Sequence, residues 1–322
     1  MKGDSMASLA HGRCLSSPRA RALTLLLAIA GVVVATPAEA QELEPGAYTV
    51  SPVGVSFIGL GYGFNRGDIT FDPSLPVEDV TATIHGVSLA IGRALDLAGR
   101  SSTVLVSLPG ITGEVAGRYR GEPTRVERTG LGDMRIRLGV NVFGAPARRL
   151  PEFVKTPEAR RSVGVSLTMV TPTGEYDAAR VVNLGSNRWA FKPEAAYMIH
   201  TGRWSYEFYV GVWLFTANDD FLNGGRRTQA PIVSTQAFAR YTFRPGLWLS
   251  VNGNFYSGGR TTVNDATNVD LQRNSRLGGT LAVPLGRQHA LRFAASRGAY
   301  TTIGADFVAV SVAFQRAWGG GL

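Results

Sequence analysis

Cysteine is nearly missing from this chain of 322 residues: the one cysteine, Cys14, lies ahead of the first apolar run. Beyond residue 40 there is none, which excludes structural disulfides, thiolate metal sites and cysteine nucleophiles there. Long hydrophobic runs are missing too. After residue 40 no stretch of about 18 apolar residues occurs, so no membrane-crossing helix is expected. Histidine is scarce: beyond residue 40 there are His85, His200 and His289, far apart, and none sits in a metal-ligand spacing such as H-x-x-x-H. No G-x-S-x-G elbow occurs, and no serine has an obvious histidine partner nearby in sequence. No catalytic residue, metal or cofactor is therefore expected. Triad members can be distant in sequence, so a lipid-modifying barrel enzyme stays as an unsupported rival.

Acidic charge is in deficit, 24 residues against 33 basic ones. Lys2, Arg13, Arg19, Arg21, Asp4 and Glu39 precede Gln41, which leaves 29 basic against 22 acidic residues, or +7. Without a basic binding motif this excess does not point to nucleic acid. Arg118, Arg120, Arg125 and Arg128 fall in one expected loop, and Arg226 with Arg227 in another. They suit lipopolysaccharide phosphates and outer-membrane lipid, or are simply solvated loop charges.

What is present begins with an address. Arg13, Arg19 and Arg21 precede the apolar run Ala22 to Ala35, and Ala38-Glu39-Ala40 offers a small-x-small cleavage site. Residues 1–40 read as a cleaved signal peptide and 41–322 as one domain. An exported chain with no spanning helix is periplasmic, secreted or an outer-membrane barrel, and the pattern that follows selects the last for a Gram-negative bacterium.

Residues 204–216 carry that pattern. Trp204, Tyr206, Phe208, Val210, Val212 and Leu214 share one face of an extended strand; Ser205, Glu207, Tyr209, Gly211 and Trp213 share the other. One face suits hydrocarbon and the other a water-lined interior. The period recurs in roughly twelve candidate strands, at 53–66, 80–95, 102–117, 132–145, 162–176, 189–201, 203–217, 231–243, 247–259, 275–286, 289–302 and 306–318. Short connections (96–99, 202, 244–246, 287–288) alternate with mostly long polar ones, as periplasmic turns and extracellular loops do. Only 146–161 breaks the rhythm, being long where a turn is due; it has room for a small helix. Trp189, Phe191, Trp204, Phe243, Trp248 and Trp318 sit near strand ends, where aromatic girdles belong. A soluble sandwich also alternates, but this rhythm favours an all-β, antiparallel up-and-down transmembrane barrel, expected to be monomeric.

A charge on the lipid face at mid-depth costs roughly 2–4 kcal/mol, so charged strand residues are expected inside. By alternation Arg135, Arg137, Lys192, Glu194, Glu207, Arg240, Arg276 and Arg292 line the lumen, with Tyr209, Trp213, Phe215 and Tyr256 as aromatic surface. They line a conduit or pair across a filled interior. The glycine-rich pieces Gly59-Leu60-Gly61-Tyr62-Gly63 and Ser257-Gly258-Gly259-Arg260 lead into no helix, so they read as strand glycines that allow bends or close packing, not phosphate cradles.

Several segments together resemble the outer-membrane proteins of the phenol meta-pathway degradation family. They are Phe71–Asp79 (FDPSLPVED), Asn183–Glu194 (NLGSNRWAFKPE), Gly211–Thr216 (GVWLFT) with Asn218–Phe221 (NDDF), Tyr256–Thr262 (YSGGRTT), Gln272–Arg276 (QRNSR), and the closing Gly-Ala-Asp-Phe and Trp-Gly-Gly-Gly. The resemblance implies a barrel for passive uptake of small hydrophobic or aromatic compounds such as phenolics, with no catalytic residues. By the expected topology Asn183, Asn187, Arg188, Asn218, Asp219, Asp220, Arg260, Arg273 and Asn274 gather at one extracellular mouth. There they meet a ligand or hold the loops in a hydrogen-bonded network. A structural barrel with a filled lumen is the other rival.

Overall fold

Adjacent residues of a barrel strand face lipid and interior in turn, so an alternating sequence has one way to lie in the wall. The computed structural model describes residues 43–68, 77–119, 121–157, 159–302 and 306–322. The expected signal peptide, Arg120, residues 71–76 of the first family segment and residues 304–305 of the closing one lie outside the described residues.

The elements run β1 (Val55–Asp68), β2 (Val77–Leu97), β3 (Arg100–Tyr119), β4 (Glu122–Leu131), β5 (Arg135–Phe143), α1 (Leu150–Lys155), β6 (Arg161–Val170), β7 (Ala190–Thr201) and β8 (Trp204–Phe215). They continue through β9 (Asn218–Phe221), β10 (Gly225–Gln229), β11 (Ile232–Arg244), β12 (Leu247–Gly258), β13 (Thr261–Val263), β14 (Ala266–Thr267), β15 (Gln272–Pro284), β16 (His289–Thr301) and β17 (Phe307–Gly319). The main sheet is antiparallel and closes on itself, because β1 pairs with both β2 and β17. Counting β4 and β5 as one broken strand, since both pair with β3, the barrel has the expected twelve strands.

Three expected loops hold strands. Of the stretch 118–131, read as a loop rich in arginine, residues 118–119 belong to β3 and 122–131 form β4, which pairs with it as a hairpin. The apolar period fades there, and the hairpin is held by polar pairs such as Arg125 with Glu114. The connections after β8 and β12 fold together into a four-stranded sheet, β14-β13-β10-β9. The irregular 146–161 connection holds α1, with a proline in its first turn, Glu152 near its N-terminus and Lys155 in its last turn.

The outer face is the apolar belt of a membrane-spanning barrel, with Leu89, Leu167, Phe208, Val210, Val251, Leu277 and Val310 exposed. Trp204, Phe243 and Trp318 are exposed near the short-turn end, and Trp189 stacks on Phe191 near the other. Trp248 is a correction: expected in the girdle, it is 3% exposed and faces the interior. Its parity matches that of Ser250 and Asn252, both buried, and proximity to a turn does not override parity.

Candidate functional site

Residues 43–54 carry no alternation, and their backbone is not part of the wall. They run inside the barrel as a strap. The Gly46 amide donates to Glu207 Oε2 at 2.8 Å, and the Ala47 carbonyl accepts from Arg137 at 3.1 Å. The Tyr48 carbonyl accepts from Asn141 Nδ2 at 3.2 Å, and Arg240 donates to Thr49 Oγ1 at 3.4 Å. The strap thus spends backbone groups on inward side chains of β5 and β8, and a side-chain hydroxyl on β11, which answers its need for partners away from water.

Tyr48 is the anchor. Its hydroxyl donates to Glu194 Oε1 at 3.0 Å and lies 2.9 Å from Ser166 Oγ, while its ring meets Tyr209 edge-on at 5.0 Å. The Arg137 guanidinium lies 4.6 Å from the ring centre. Space for the ring comes from Gly164 on β6, where a β-carbon would stand 2.3 Å from Tyr48 Cδ1. A strand glycine here marks close approach by another part of the chain. Burial, and Glu194 beside it, push the Tyr48 phenol above its ordinary value, so it stays a proton donor. Burial also raises the Glu44 carboxyl, against the pull of Arg137 and Lys192.

Around the strap the charged residues form one layer. Lys192 Nζ lies 2.7 Å from Glu194 Oε2, and Arg137 3.9 Å from Glu194 Oε1. Gln236 donates to Glu194 at 3.2 Å, Arg240 lies 3.2 Å from Glu207 Oε1, and the Tyr209 hydroxyl donates to Glu207. Arg240 and Arg292 both lie over Trp248, at 5.4 and 5.2 Å. Paired charges with extra hydrogen bonds are the form in which buried ions are tolerated.

A cavity lies at each end of this layer. The lower one, about 520 Å³, is bounded by the strap, α1 and the floor of β7, β8 and β11; Phe153, Met198 and Trp248 are its apolar walls. His200 and Ser205 line it too, with Nδ1 2.9 Å from Oγ. That is the serine a lipid-modifying rival requires, but Ser205 is buried and faces the lumen, away from bilayer lipid. The upper cavity, about 320 Å³, lies under the long loops and takes in Asp133, Arg135, Tyr176, Arg188, Asn218 and Arg227. Asp133, in the break between β4 and β5, accepts from the Gly174 amide at 2.8 Å and from the Ser186 amide and hydroxyl at 2.8 and 2.6 Å.

Each expected lumen residue faces inward: Arg135, Arg137, Lys192, Glu194, Glu207, Tyr209, Trp213 and Arg240 form or flank the layer. Tyr256 packs with Trp213 above it, and Arg292 meets Trp248 below. Arg276 is apart from that layer, donating to Ser296 Oγ at 2.9 Å with Phe307 3.9 Å away. The mouth residues divide. Asn183, Arg188 and Asn218 line the upper cavity, and Asn187 donates to Asn218 Oδ1 at 3.0 Å. Asp219, Asp220, Arg260 and Arg273 are exposed, and Asn274 is buried, accepting from the Thr302 amide at 2.9 Å. The strap, Asp133 and Arg227 were not singled out as site residues by the alternation, since the first two lie outside regular strands and Arg227 lies on β10, in a stretch expected to be a loop. The Tyr-bearing Pro45-Gly46 turn was the one signal for the strap. Among the described residues no group of three or more His, Cys, Asp or Glu is arranged to hold a metal.

Comparison with known proteins adds a family. The sequence profile described as "Putative MetA-pathway of phenol degradation" matches residues 77–308. The structure is similar to the COG4313 outer membrane channel from Pseudomonas putida F1, with 22% identity and a TM-score of 0.71 over 86% of this chain and 100% of that one. It also matches the transport unit of the autotransporter AIDA-I from Escherichia coli, with 7% identity and a TM-score of 0.49 over 82% of this chain and 90% of the other. No curated protein matches in sequence.

Proposed function

The chain belongs to this phenol-degradation family, and from that premise we propose that it is a monomeric outer-membrane channel for passive uptake of small aromatic compounds. Export would use residues 1–40 as a cleaved signal peptide, and the β3–β4 hairpin with Arg118, Arg125 and Arg128 would meet lipopolysaccharide phosphates. The observation that carries the reading is the pair of cavities at the two ends of the charged layer through which the strap runs. Moving residues 43–50 breaks no strand pairing, so a conduit can open while the twelve strands stay closed. Tyr209, Trp213, Phe215 and Tyr256 offer flat apolar surface along it. No group in the layer suggests energy coupling. Selectivity comes from cavity shape and from the polar mouth.

A second reading has its own support. Lys192–Glu194, Arg137–Glu194 and Arg240–Glu207 are ion pairs, and the strap fills the space between them, as in a structural barrel with a filled lumen. One substitution separates the two. Gly164→Val drives a side chain into the Tyr48 ring while leaving the wall intact. In planar bilayers the channel reading expects conductance to rise in this variant and phenol uptake by whole cells to depend on the gene. Strap release, seen as new protease cleavage near residue 48, with no gain in conductance would establish the filled barrel instead. Equal uptake by cells with and without the gene at limiting substrate would sink the transport reading.

A further inference from the structure

We propose that the outer wall at the short-turn end binds the phosphate of an anionic phospholipid, through Arg93 on β2, Ser56 on β1 and Arg316 on β17. The site lies on the lipid side of the barrel and is independent of the channel reading. Strand parity turns all three side chains outward. Arg93 shares its face with Leu89 and Ile91, Ser56 with Ile58, and Arg316 with Phe314 and Trp318, all of these apolar neighbours being exposed. Ser56 is level with Arg93 on one side and with Trp318 on the other, and Arg316 is level with Ile58. The two arginines thus flank β1, about 10 Å apart across the strands and about 7 Å apart in depth. The small Ser56 leaves room between them and adds a hydroxyl donor.

Depth makes this arrangement informative. Trp318 marks the girdle, so Arg93 sits at its level and Arg316 two residues further into the apolar belt, beside Ile58 and Ile91. A cation on the lipid face there is tolerated when its head reaches back to the interface and meets a counter-charge. Among the described residues neither arginine has a side-chain hydrogen bond or an ion pair. The acids described at this end are engaged or placed elsewhere: Asp96 accepts from the Gly99 amide at 2.7 Å, and Glu152 lies on α1.

The chemistry selects the partner. Guanidinium forks match the paired oxygens of a phosphate. A headgroup of net negative charge, as in phosphatidylglycerol, keeps that attraction, whereas the ammonium of phosphatidylethanolamine meets two like charges. Short turns are the periplasmic end of an outer-membrane barrel, so the phosphate within reach belongs to a phospholipid and not to lipopolysaccharide.

The test is native mass spectrometry of the purified full chain in neutral detergent, with phosphatidylglycerol, phosphatidylethanolamine and inorganic phosphate as probes. The first phosphatidylglycerol is expected to bind about tenfold more tightly than phosphatidylethanolamine. Inorganic phosphate in millimolar excess is expected not to displace it. Arg93→Gln and Arg316→Gln are each expected to weaken that first lipid by about fivefold or more. Arg203→Gln removes an exposed charge at the same end, with three strands between β8 and β16, and is expected to change binding by less than about twofold. Far-ultraviolet circular dichroism checks that each variant is folded. Equal binding of the two lipids overturns the proposal, and so does displacement by inorganic phosphate. An Arg203→Gln loss as large as the other two also overturns it, because a diffuse ring of charge then replaces a site. Conductance in planar bilayers reads the channel separately and is expected to be the same in all three variants.

Discussion

The Tyr48 ring rests on Gly164, at a place where a β-carbon would come within 2.3 Å of Cδ1. A residue outside the barrel wall and a residue in the middle of β6 are thereby fitted to each other. The hydroxyl of the same tyrosine reaches Glu194 and Ser166, so one side chain ties the strap to two strands. Gly164→Ala is expected to unseat the strap partly and Gly164→Val fully, with cleavage near residue 48 by added protease rising in that order. Tyr48→Phe keeps the ring contact and loses only the hydroxyl bonds, and should release less than Gly164→Val.

The Arg240–Glu207 pair predicts a stability effect. Glu207 also accepts from the Gly46 amide and the Tyr209 hydroxyl, so its removal leaves several buried groups without their acceptor. Glu207→Ala is expected to lower the unfolding free energy by about 3–5 kcal/mol, measured by urea titration in lipid vesicles. Replacing Arg240 as well, with methionine, should recover part of that loss, because no orphaned cation then remains.

Strap seating should depend on pH through Glu44. Its carboxyl is raised above the ordinary 4.5 by burial, with Arg137, Lys192 and Arg292 pulling it down and Glu194 pushing it up. The seated strap therefore binds a proton more readily than the released one. Seating is favoured at low pH and weakens as pH rises from about 4.5 through the raised value. Protease cleavage near residue 48 should increase over that window, and Glu44→Gln should flatten the profile. A profile steeper in the opposite direction would contradict the assignment.

Lipid contact can be tested by depth. Val210 lies midway along β8 and is 54% exposed, whereas Val269 lies in a loop beyond the barrel strands. Val210→Arg is expected to cost roughly 2–4 kcal/mol of folding stability in vesicles, and Val269→Arg close to nothing.

Asp133 organises the mouth. Removing its three acceptor bonds in Asp133→Ala should speed hydrogen exchange at the Gly174 and Ser186 amides while leaving exchange in β8 and β11 unchanged. The size of the change reports how far the 171–189 loop depends on one carboxylate.

Alternation made the wall legible. Phe208 outside and Glu207 inside follow from a period of two and the cost of charge in lipid, and no knowledge of neighbours is needed. The same rule is silent where both faces meet water. Residues 122–131 pair with β3 although their sequence reads as a charged loop, since nothing there demands an apolar side. Trp248 shows the limit in the other direction: aromatic character and a nearby turn suggested the girdle, and parity put the ring among Arg240 and Arg292.

By itself, then, the sequence determined the membrane barrel: its strand number, its inward charges, its outward apolar belt and the family to which it belongs, all properties of local period or motif. Tertiary structure alone decided what occupies the lumen. Gly46 and Glu207 are 161 positions apart, and Tyr48 and Glu194 146. No periodicity encodes contacts of that span; they exist because closing the cylinder brings inward side chains of β5 to β11 around a short irregular segment that needs hydrogen-bond partners. The gathering of Arg135, Arg188 and Arg227 in one cavity has the same cause. Charges scattered over three elements become one field only when the wall and its loops enclose them.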